Sequence, residues 1–374
     1  MKKSVSVFVK FASLAIVVTT VGLSAAQAKP NVLRVGPGQP FAKIQDAVNT
    51  ARSGDTILVY PASYSESVSV TKNHLNIVAQ GSGVVVNPQP LQKLACFEVK
   101  ADQVVIRGFE LTGTMMAPGI RFEGSHNEFS ENRIYELGGL GVNALNCRDA
   151  DGGSDDNLIA NNTITGADLG IVVGSDSETT VNKNNRIIGN SINGMGTVGI
   201  AVYNAVDCTV ADNVIENVGF GLGISIIALM GDVPQHGHKV IGNRVIGTAE
   251  AGIGVFADET TALSKVTISG NQVGLCGGYG IILQKDPGAT LEDNVITDNQ
   301  VSEAQLTGIV LTASVNKNKI DSNVVTKCGI YGIHVNGDRN KITRNTALES
   351  GTYDLANGGT DNQWKHNVYE TSSW

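Results

Sequence analysis

The stretch Ile187-Ile188-Gly189-Asn190-Ser191-Ile192, followed nine residues after its Asn by Gly199-Ile200-Ala201-Val202, is the clearest copy of a phrase that recurs along the chain. The first half places an Asn between apolar residues, and the second half reads Gly-Ile-x-apolar. The Asn recurs at positions 132, 162, 190, 213, 243, 271, 294, 323, 345 and 367, with Phe109 in the same slot one unit earlier. The Gly recurs at positions 170, 199, 223, 252, 280, 308 and 332, with looser copies at 119 and 141. Successive Asn slots lie 22 to 30 residues apart, and this period is typical of stacked units that bury their apolar faces against one another.

Each half of the phrase spans five or six residues, with an apolar residue at every second or third position. That length and rhythm predict short β-strands rather than helices. Asn and Gly mark the turns because both tolerate left-handed backbone conformations. An Asn in one slot of every unit also predicts a ladder of hydrogen-bonded amides, since stacked strands lie about 4.7–4.9 Å apart. The chain is therefore predicted to be all-β, a single-stranded parallel β-helix of about 11 coils.

The first 28 residues differ from the repeats. Lys2 and Lys3 precede an uncharged run from residue 11 to residue 26, and the segment ends in Ala26-Gln27-Ala28. A basic start, an apolar middle and small residues at the end are typical of a secretory signal peptide, whereas a membrane helix needs about 20 apolar residues. We expect cleavage before Lys29, export to the periplasm or beyond, and no membrane insertion after cleavage.

Charge narrows the range of partners. The chain has 27 Lys and Arg against 35 Asp and Glu. Residues 1–28 hold three Lys and no acid, so their removal leaves 24 basic residues and a formal charge of −11. Such a surface repels nucleic acid and anionic membranes. It also repels a polyuronate unless a basic site or a bound cation offsets the charge. We expect a monomer that does not bind nucleic acid.

Residues 29–100 are predicted to hold a cap and the first coils, and residues 101–374 the repeats with a capping coil at their end. Four apolar residues with helical spacing predict an N-terminal capping α-helix near 41–52: Ile44, Ala47, Val48 and Ala51. The stretch FAKIQDAVNTARSGDTILVYPASYSESVSV, residues 41–70, resembles the opening of pectate-lyase-like β-helix proteins. These include pectin methylesterases and the copper-site accessory proteins of periplasmic respiration. The resemblance, together with the crossover rule, implies right-handed coils.

The resemblance implies no single activity. Pectate lyases of this fold hold Ca²⁺ with carboxylates and use an Arg or Lys as base, and mannuronan epimerases carry Asp-Pro-His after a Gly-strand. The nearest match to that motif is Phe256-Ala257-Asp258-Glu259, which lacks the Pro and the His. The segment His236-Gly237-His238 is reminiscent of a polygalacturonase motif, and the motifs of pectin methylesterases are not visible in the sequence.

Function is expected where units exceed their minimum of 22–23 residues. Four insertions follow the Gly-Ile strand, at 145–157, 174–185, 228–239 and 256–264, and a fifth, at 298–307, is predicted on another edge. Loops on one edge of a solenoid typically mark its binding face. Alternation along the strands predicts the residues that point outward on this face: Arg121, Glu123, Asn143, Tyr203, Ser225 and Phe256.

The first insertion is the most acidic. Asp149, Asp151 and Asp155, with two Gly between them, have oxygen ligands at a spacing that predicts a site for a hard cation such as Ca²⁺. Asp176 of the following insertion would complete this metal site. The alternative is a solvated acidic turn in which Arg148 is the counter-ion.

Four residues are candidates for catalysis. Arg121 and Arg148 would neutralise a uronate carboxylate, and Tyr203 would act as acid or base. His236 belongs to an H-x-H pair in the third insertion and would act as acid, base or metal ligand. An exposed loop without a role is the alternative for that pair.

Three classes of function remain open. The first is a carbohydrate-active enzyme, a lyase or C5-epimerase acting on a uronic-acid-containing polysaccharide. The second is a non-catalytic module that binds glycans or envelope partners, and the third is a structural solenoid. Aromatic residues make up only 5% of the chain, which argues against a sugar-stacking platform, so the late Tyr279, Tyr331 and Tyr353 are interpreted as local packing. The five Cys, an odd number, are interpreted as small buried thiols.

Overall fold

The computed structural model describes residues 29–88, 94–113, 117–138, 143–149, 152–229 and 233–374, with only the backbone described at 148 and 149. Asn31–Trp374 forms one unit, and the description below concerns that unit. The predicted signal peptide lies outside the described residues. Among the helices of the described part, none is long and apolar enough to cross a membrane.

Three long parallel sheets, each built from one strand per coil, form this unit. Sheet 1 has 14 strands: Val32–Val35, Thr56–Val59, Asn76–Ala79, Val105–Arg107, Glu128–Ser130, Leu158–Ala160, Arg186–Ile188, Thr209–Ala211, Lys239–Ile241, Thr267–Ser269, Val295–Thr297, Lys319–Asp321, Lys341–Thr343 and Gln363–Lys365. Sheet 2 has 12 strands: Ala62–Tyr64, Val84–Val86, Glu110–Leu111, Arg133–Ile134, Thr163–Thr165, Ser191–Asn193, Val214–Val218, Arg244–Thr248, Gln272–Gly274, Gln300–Ser302, Val324–Thr326 and Thr346–Leu348.

Sheet 3 contains the Gly-Ile strands and also has 12 members: Val68–Val70, Phe97–Lys100, Ile120–Glu123, Asn143–Asp149, Leu169–Ser175, Val198–Tyr203, Leu222–Ala228, Ala251–Ala257, Tyr279–Lys285, Thr307–Leu311, Tyr331–Val335 and Tyr353–Asn357. Two-residue and three-residue strands between sheets 3 and 1 form smaller sheets: Asn182–Lys183 with Ala205–Val206, and Gln235–His236 with Ala262–Ser264 and Thr290–Glu292. The predicted parallel solenoid is confirmed, with about 12 coils.

Aliphatic side chains of all three sheets meet inside the coils and form one continuous core. In sheet 1, for example, Ile159, Ile187, Val210 and Val240 follow one another in register and are buried. Like residues stack at one strand spacing because every coil repeats the same alternation. Each unit therefore buries its apolar residues mainly against its neighbours.

Each turn from sheet 1 into sheet 2 has one residue with a left-handed backbone, followed by a buried residue. The ladder Asn is the buried residue; the left-handed one precedes it, as at Gly189, Asp212 and Gly242. The turn chemistry expected of the ladder Asn thus belongs to its predecessor. The Asn instead satisfies buried backbone groups at the corner.

The predicted amide ladder is confirmed. From Asn132 to Asn367, each Asn side chain accepts a hydrogen bond from the backbone N–H of the Asn one coil earlier, at 2.9–3.0 Å. One slot was predicted wrongly: after Asn271 the ladder continues through Asn299, not Asn294. The insertion expected at 298–307 is therefore absent, because Gln300–Ser302 is a regular strand of sheet 2.

A second ladder, not predicted from the sequence, lines the corner that leads into sheet 1. Asn127, Asn157 and Asn185 form its first part, and Asn294, Asn318, Asn340 and Asn362 form its second part. Cys208, His238 and Val266 occupy the three positions between them. The spacing from Asn294 to Asn323 concealed this second row, because the sequence places members of both ladders at similar intervals.

All five Cys are free and buried, as the sequence analysis expected. Burial raises the pKa of Cys96 and Cys208 to about 12. These thiols are therefore protonated at neutral pH, and their role is packing.

A helix spans Ile44–Thr50, inside the predicted range of 41–52, and buries Ile44, Ala47 and Val48. Side chains from the next coil satisfy both of its ends. The Glu66 carboxylate accepts hydrogen bonds from the N–H groups of Ile44 and Gln45 at 2.8 and 3.0 Å. Lys72 Nζ donates to three carbonyls at the other end at 2.6–3.0 Å. These contacts stabilise a seven-residue helix that would be marginal alone. That it closes the open end of the solenoid stays a prediction.

The repeated Gly of sheet 3 is required by close packing between coils. A Cβ at Gly223 would lie 2.7 Å from the carbonyl oxygen of Gly252 in the next coil. That oxygen belongs to the backbone of a paired strand, so it cannot rotate away. No residue larger than Gly fits this row without moving two strands apart.

We expect Gly223→Ala to lower the free energy of unfolding by about 1–3 kcal/mol, the usual cost of overpacking. Gly254→Ala is the matched control, because the added Cβ would there meet the side chains of Leu222 and Phe256, which can rotate. Urea denaturation of both variants measures the difference. Equal losses of stability would show that the carbonyl contact has no special cost.

Candidate binding face of sheet 3

One row of outward residues runs along the middle of sheet 3. Register pairs its members in order: Glu98, Arg121, Asn146, Val172, Ala201, Ser225, Gly254, Ile282, Val310, His334 and Ala356. We call this row and the outward residues beside it the outward face of sheet 3. It holds all six residues that alternation predicted to point outward there.

Insertions lie on one edge of this face, after the carboxyl ends of the strands. The described segments at 176–181, 258–261 and 286–289 connect sheet 3 to the small strands beside it. The predicted gathering of loops on one edge is confirmed, and the insertion at 286–289 adds a loop that was not predicted. Burial, followed by the charges of Asp286 and Glu259, raises the pKa of Asp258 in these loops.

The first coils give the face its charged end. Arg121 Nη1 lies 3.4 Å from Glu98 Oε2, and Lys100 Nζ lies 3.2 Å from Glu123 Oε2. All four side chains are partly exposed. Exposed pairs of this kind contribute little to stability, so the charges stay available to an ionic ligand.

The middle of the face is apolar around one polar contact. The Tyr203 hydroxyl donates a hydrogen bond to Asp176 Oδ1 at 2.8 Å. The Tyr203 ring lies over Gly174, where any side chain would overlap it. Val172 and Ala201 are buried beside it. The Gly thus makes room for the ring, and the hydrogen bond fixes the hydroxyl at the edge where the insertions begin.

Two polar atoms of the central row are buried without a hydrogen-bond partner, Asn146 Oδ1 and Ser225 Oγ. An unpaired buried polar group costs about 1–3 kcal/mol. Asn146 and Ser225 lie on either side of the Tyr203 contact along the row. Such groups are unusual in a face that serves packing alone.

The last coils give the face an aromatic end. Tyr279, Tyr331 and Tyr353 belong to one column beside the central row, with Thr307 between the first two. His334 lies beside Tyr331, with ring centroids 4.5 Å apart. The sequence analysis interpreted these Tyr separately, because only the register shows that they share a column.

The candidate residues from the sequence do not all come together. Arg121 and Tyr203 belong to strands of sheet 3 three spacings apart, which is about 14 Å. His236 lies on the small strand beside sheet 1, where its Nδ1 is 3.6 Å from Asp207 Oδ1. Asp176 and Tyr203 are the two candidates that the structure brings into contact.

The predicted metal ligands are placed only in part. Asp151 and the side chains of Arg148 and Asp149 lie outside the described residues. The Asp155 carboxylate accepts a hydrogen bond from the Lys183 N–H at 2.7 Å, at a corner away from Tyr203. Within the described residues, no group of three or more His, Cys, Asp or Glu side chains is arranged to hold a metal ion. The Ca²⁺ site stays a prediction.

Comparison with known families gives two partial matches. A family model described as a right-handed beta helix region matches residues 95–263. A second, described as periplasmic copper-binding protein (NosD), matches residues 235–373. No curated protein matches the chain.

Several solved structures resemble the fold. The catalytic unit of a GH87 α-1,3-glucanase from Streptomyces thermodiastaticus matches with a TM-score of 0.60 and 15% identity, over 88% of this chain and 66% of that one. The A-module of the mannuronan C-5 epimerase AlgE6 of Azotobacter vinelandii gives 0.54 and 14%, over 88% and 93%. The periplasmic alginate epimerase AlgG gives 0.51 and 13%, over 84% and 77%. The chain is a pectate-lyase-like right-handed parallel β-helix, and these structural neighbours are carbohydrate-active enzymes.

Proposed function

We propose that this right-handed β-helix is an exported carbohydrate-active protein that binds a polysaccharide along the outward face of sheet 3. Export is supported by the predicted signal peptide and by the word periplasmic in the descriptions of the NosD family and of AlgG. A chain molecule that lies across successive strands meets a new outward residue at each strand spacing of about 4.8 Å. A regular polymer therefore suits this face better than a compact ligand.

The observation that carries the proposal is the contact between Tyr203 and Asp176 in the middle of the face. It orients a phenol and a carboxylate toward the edge where the insertions begin. Such a pair can exchange hydrogen bonds with sugar hydroxyls while the apolar residues beside it contact the ring carbons. Arg121, about 14 Å away, would pair with the carboxylate of another unit of a uronate polymer.

The same spacing limits the chemistry. A lyase or C5-epimerase must neutralise the carboxylate of the unit from which the C5 proton is taken. Arg121 is too far from Tyr203 to do this for the same unit. Enzymatic action at Tyr203 would need another positive charge there, which the predicted Ca²⁺ at Asp149, Asp151, Asp155 and Asp176 would supply. The geometry supports binding more directly than catalysis.

The test uses the chain from Lys29 onward and titrates it by calorimetry with neutral and uronate oligosaccharides, with and without Ca²⁺. Arg121→Gln is expected to weaken binding of uronate oligosaccharides about tenfold, since a hydrogen bond to a charged group contributes about 1.5–3 kcal/mol. Arg186→Gln, on the outward side of sheet 1, is the matched control and should leave affinity unchanged.

Product analysis separates the finer activities. Unsaturated sugar ends would show a lyase, a changed epimer ratio would show an epimerase, and neither product would leave a binding protein. Absence of binding to every oligosaccharide would refute the proposal. Equal losses in the two Arg variants would refute the role of this face.

A further inference from the structure

The aromatic end of the face has geometry that packing does not explain. The rings of Tyr331 and Tyr353 are parallel within 5°, with centroids 6.3 Å apart. Tyr353 keeps 37% of its surface exposed, and Tyr331 is half-buried. Within the described residues, the hydroxyls of both Tyr have no hydrogen-bond partner. Two aromatic rings with unused hydroxyls lie side by side on an accessible sheet surface.

Polar groups accompany the rings. His334 lies beside Tyr331, with an angle of 53° between the ring planes, and a hydrogen bond joins His334 to the Asn336 side chain. Burial lowers the pKa of His334 despite that bond. The imidazole is therefore neutral at pH 7, and its two nitrogens offer one donor and one acceptor.

Formal charge is missing from this end. The strands Thr307–Leu311 and Tyr331–Val335 contain no Lys, Arg, Asp or Glu. Asp354 of the next strand is buried, and its carboxylate accepts hydrogen bonds from the N–H groups of Ser350, Glu370 and Thr371 at 3.0 Å. No cation on these strands would pair with a uronate carboxylate.

We propose that Tyr331, His334, Asn336 and Tyr353 form a subsite for an uncharged sugar unit. An aromatic ring contacts the apolar face of a pyranose, while the phenol, imidazole and amide groups hydrogen-bond to its hydroxyls. This inference rests on the proposed polysaccharide binding and adds a substrate class. The ligand carries uncharged units at this end of the face, eight strand spacings or about 38 Å from the strand of Arg121.

The experiment titrates the chain from Lys29 onward with glucose oligosaccharides and with uronate oligosaccharides of equal length. Tyr331→Ala is expected to weaken binding of the glucose oligosaccharides about tenfold, because an aromatic contact contributes about 0.5–1.5 kcal/mol. Tyr331→Phe keeps the ring and should stay within about threefold of the parent. Tyr369→Ala removes a ring of similar exposure, 42%, outside sheet 3, and should change nothing.

Two outcomes would overturn the subsite. In the first, Tyr331→Ala binds glucose oligosaccharides like the parent. In the second, it loses affinity for uronates as strongly as for glucose oligosaccharides. If Arg121→Gln still weakens uronate binding, polysaccharide binding stands without this subsite. If neither class of oligosaccharide binds the parent, both proposals fail. Thermal melts of Tyr331→Ala and Tyr331→Phe separate loss of the fold from loss of the site.

Discussion

Replacement of Asn213 by Ala is expected to lower the free energy of unfolding by about 3 kcal/mol. The Asn213 side chain takes part in four hydrogen bonds, each 2.9 Å long. It accepts from the backbone and side-chain N–H groups of Asn190, and it donates to Ile187 O and to Asn243 Oδ1. Its loss leaves at least two buried partners unpaired, at about 1–3 kcal/mol each.

Asn193→Ala is the matched control, because that side chain is exposed and shares one hydrogen bond with Asn217 at 3.1 Å. Urea denaturation should show a large loss for Asn213→Ala and for Asn271→Ala, a second ladder position, and a loss of a few tenths of a kcal/mol for the control. Melts of both ladder variants that match the parent would contradict the stabilising role of the ladder.

Acid is expected to destabilise the protein through His238, by about 3 kcal/mol between pH 7 and pH 4. This residue occupies a ladder position in the buried corner, and its Nδ1 has no hydrogen-bond partner. Burial lowers the pKa of His238 from 6.5 to about 4, a shift that His236 adds to and Asp207 opposes. The unfolded chain therefore binds a proton that the folded protein excludes. Stability from this residue is complete above pH 6.5 and falls as the pH drops toward 4.

His238→Asn should flatten this part of the pH profile, since an amide does not titrate. The difference between the parent and the variant isolates His238 from the carboxylates that also titrate in this range. His236→Asn is the control, because His236 is 47% exposed and lies two residues away. Parallel profiles for the parent and His238→Asn would show that this imidazole does not govern acid stability.

The sequence predicted the fold because the fold is a repetition. The row of Gly, the apolar alternation and the spaced Asn each recur in nearly every coil, so one register explains all of them together. The same repetition caused the error at Asn294. Two Asn ladders lie at two corners of the same coil, and a single spacing fits members of either ladder. Only the hydrogen bonds assign Asn294 to one and Asn299 to the other.

The candidate site was predicted less completely. Alternation placed Arg121 and Tyr203 on the correct face, because side chains alternate strictly along a strand. It could not give the number of strands between them, which decides whether they act on one sugar unit. The partner of Tyr203 was also beyond its reach, since Asp176 belongs to an insertion with no periodicity.

What the sequence determined by itself is the identity of each coil position: which residues are buried, which turn and which face outward. Those properties follow from local alternation and from steric limits on the backbone, so they are written in neighbouring residues. Only the tertiary structure decided which outward residues share a column, as Tyr279, Tyr331 and Tyr353 do. Coils of 22 to 30 residues bring distant positions to one strand spacing, and the contacts that set this register act across the chain rather than along it.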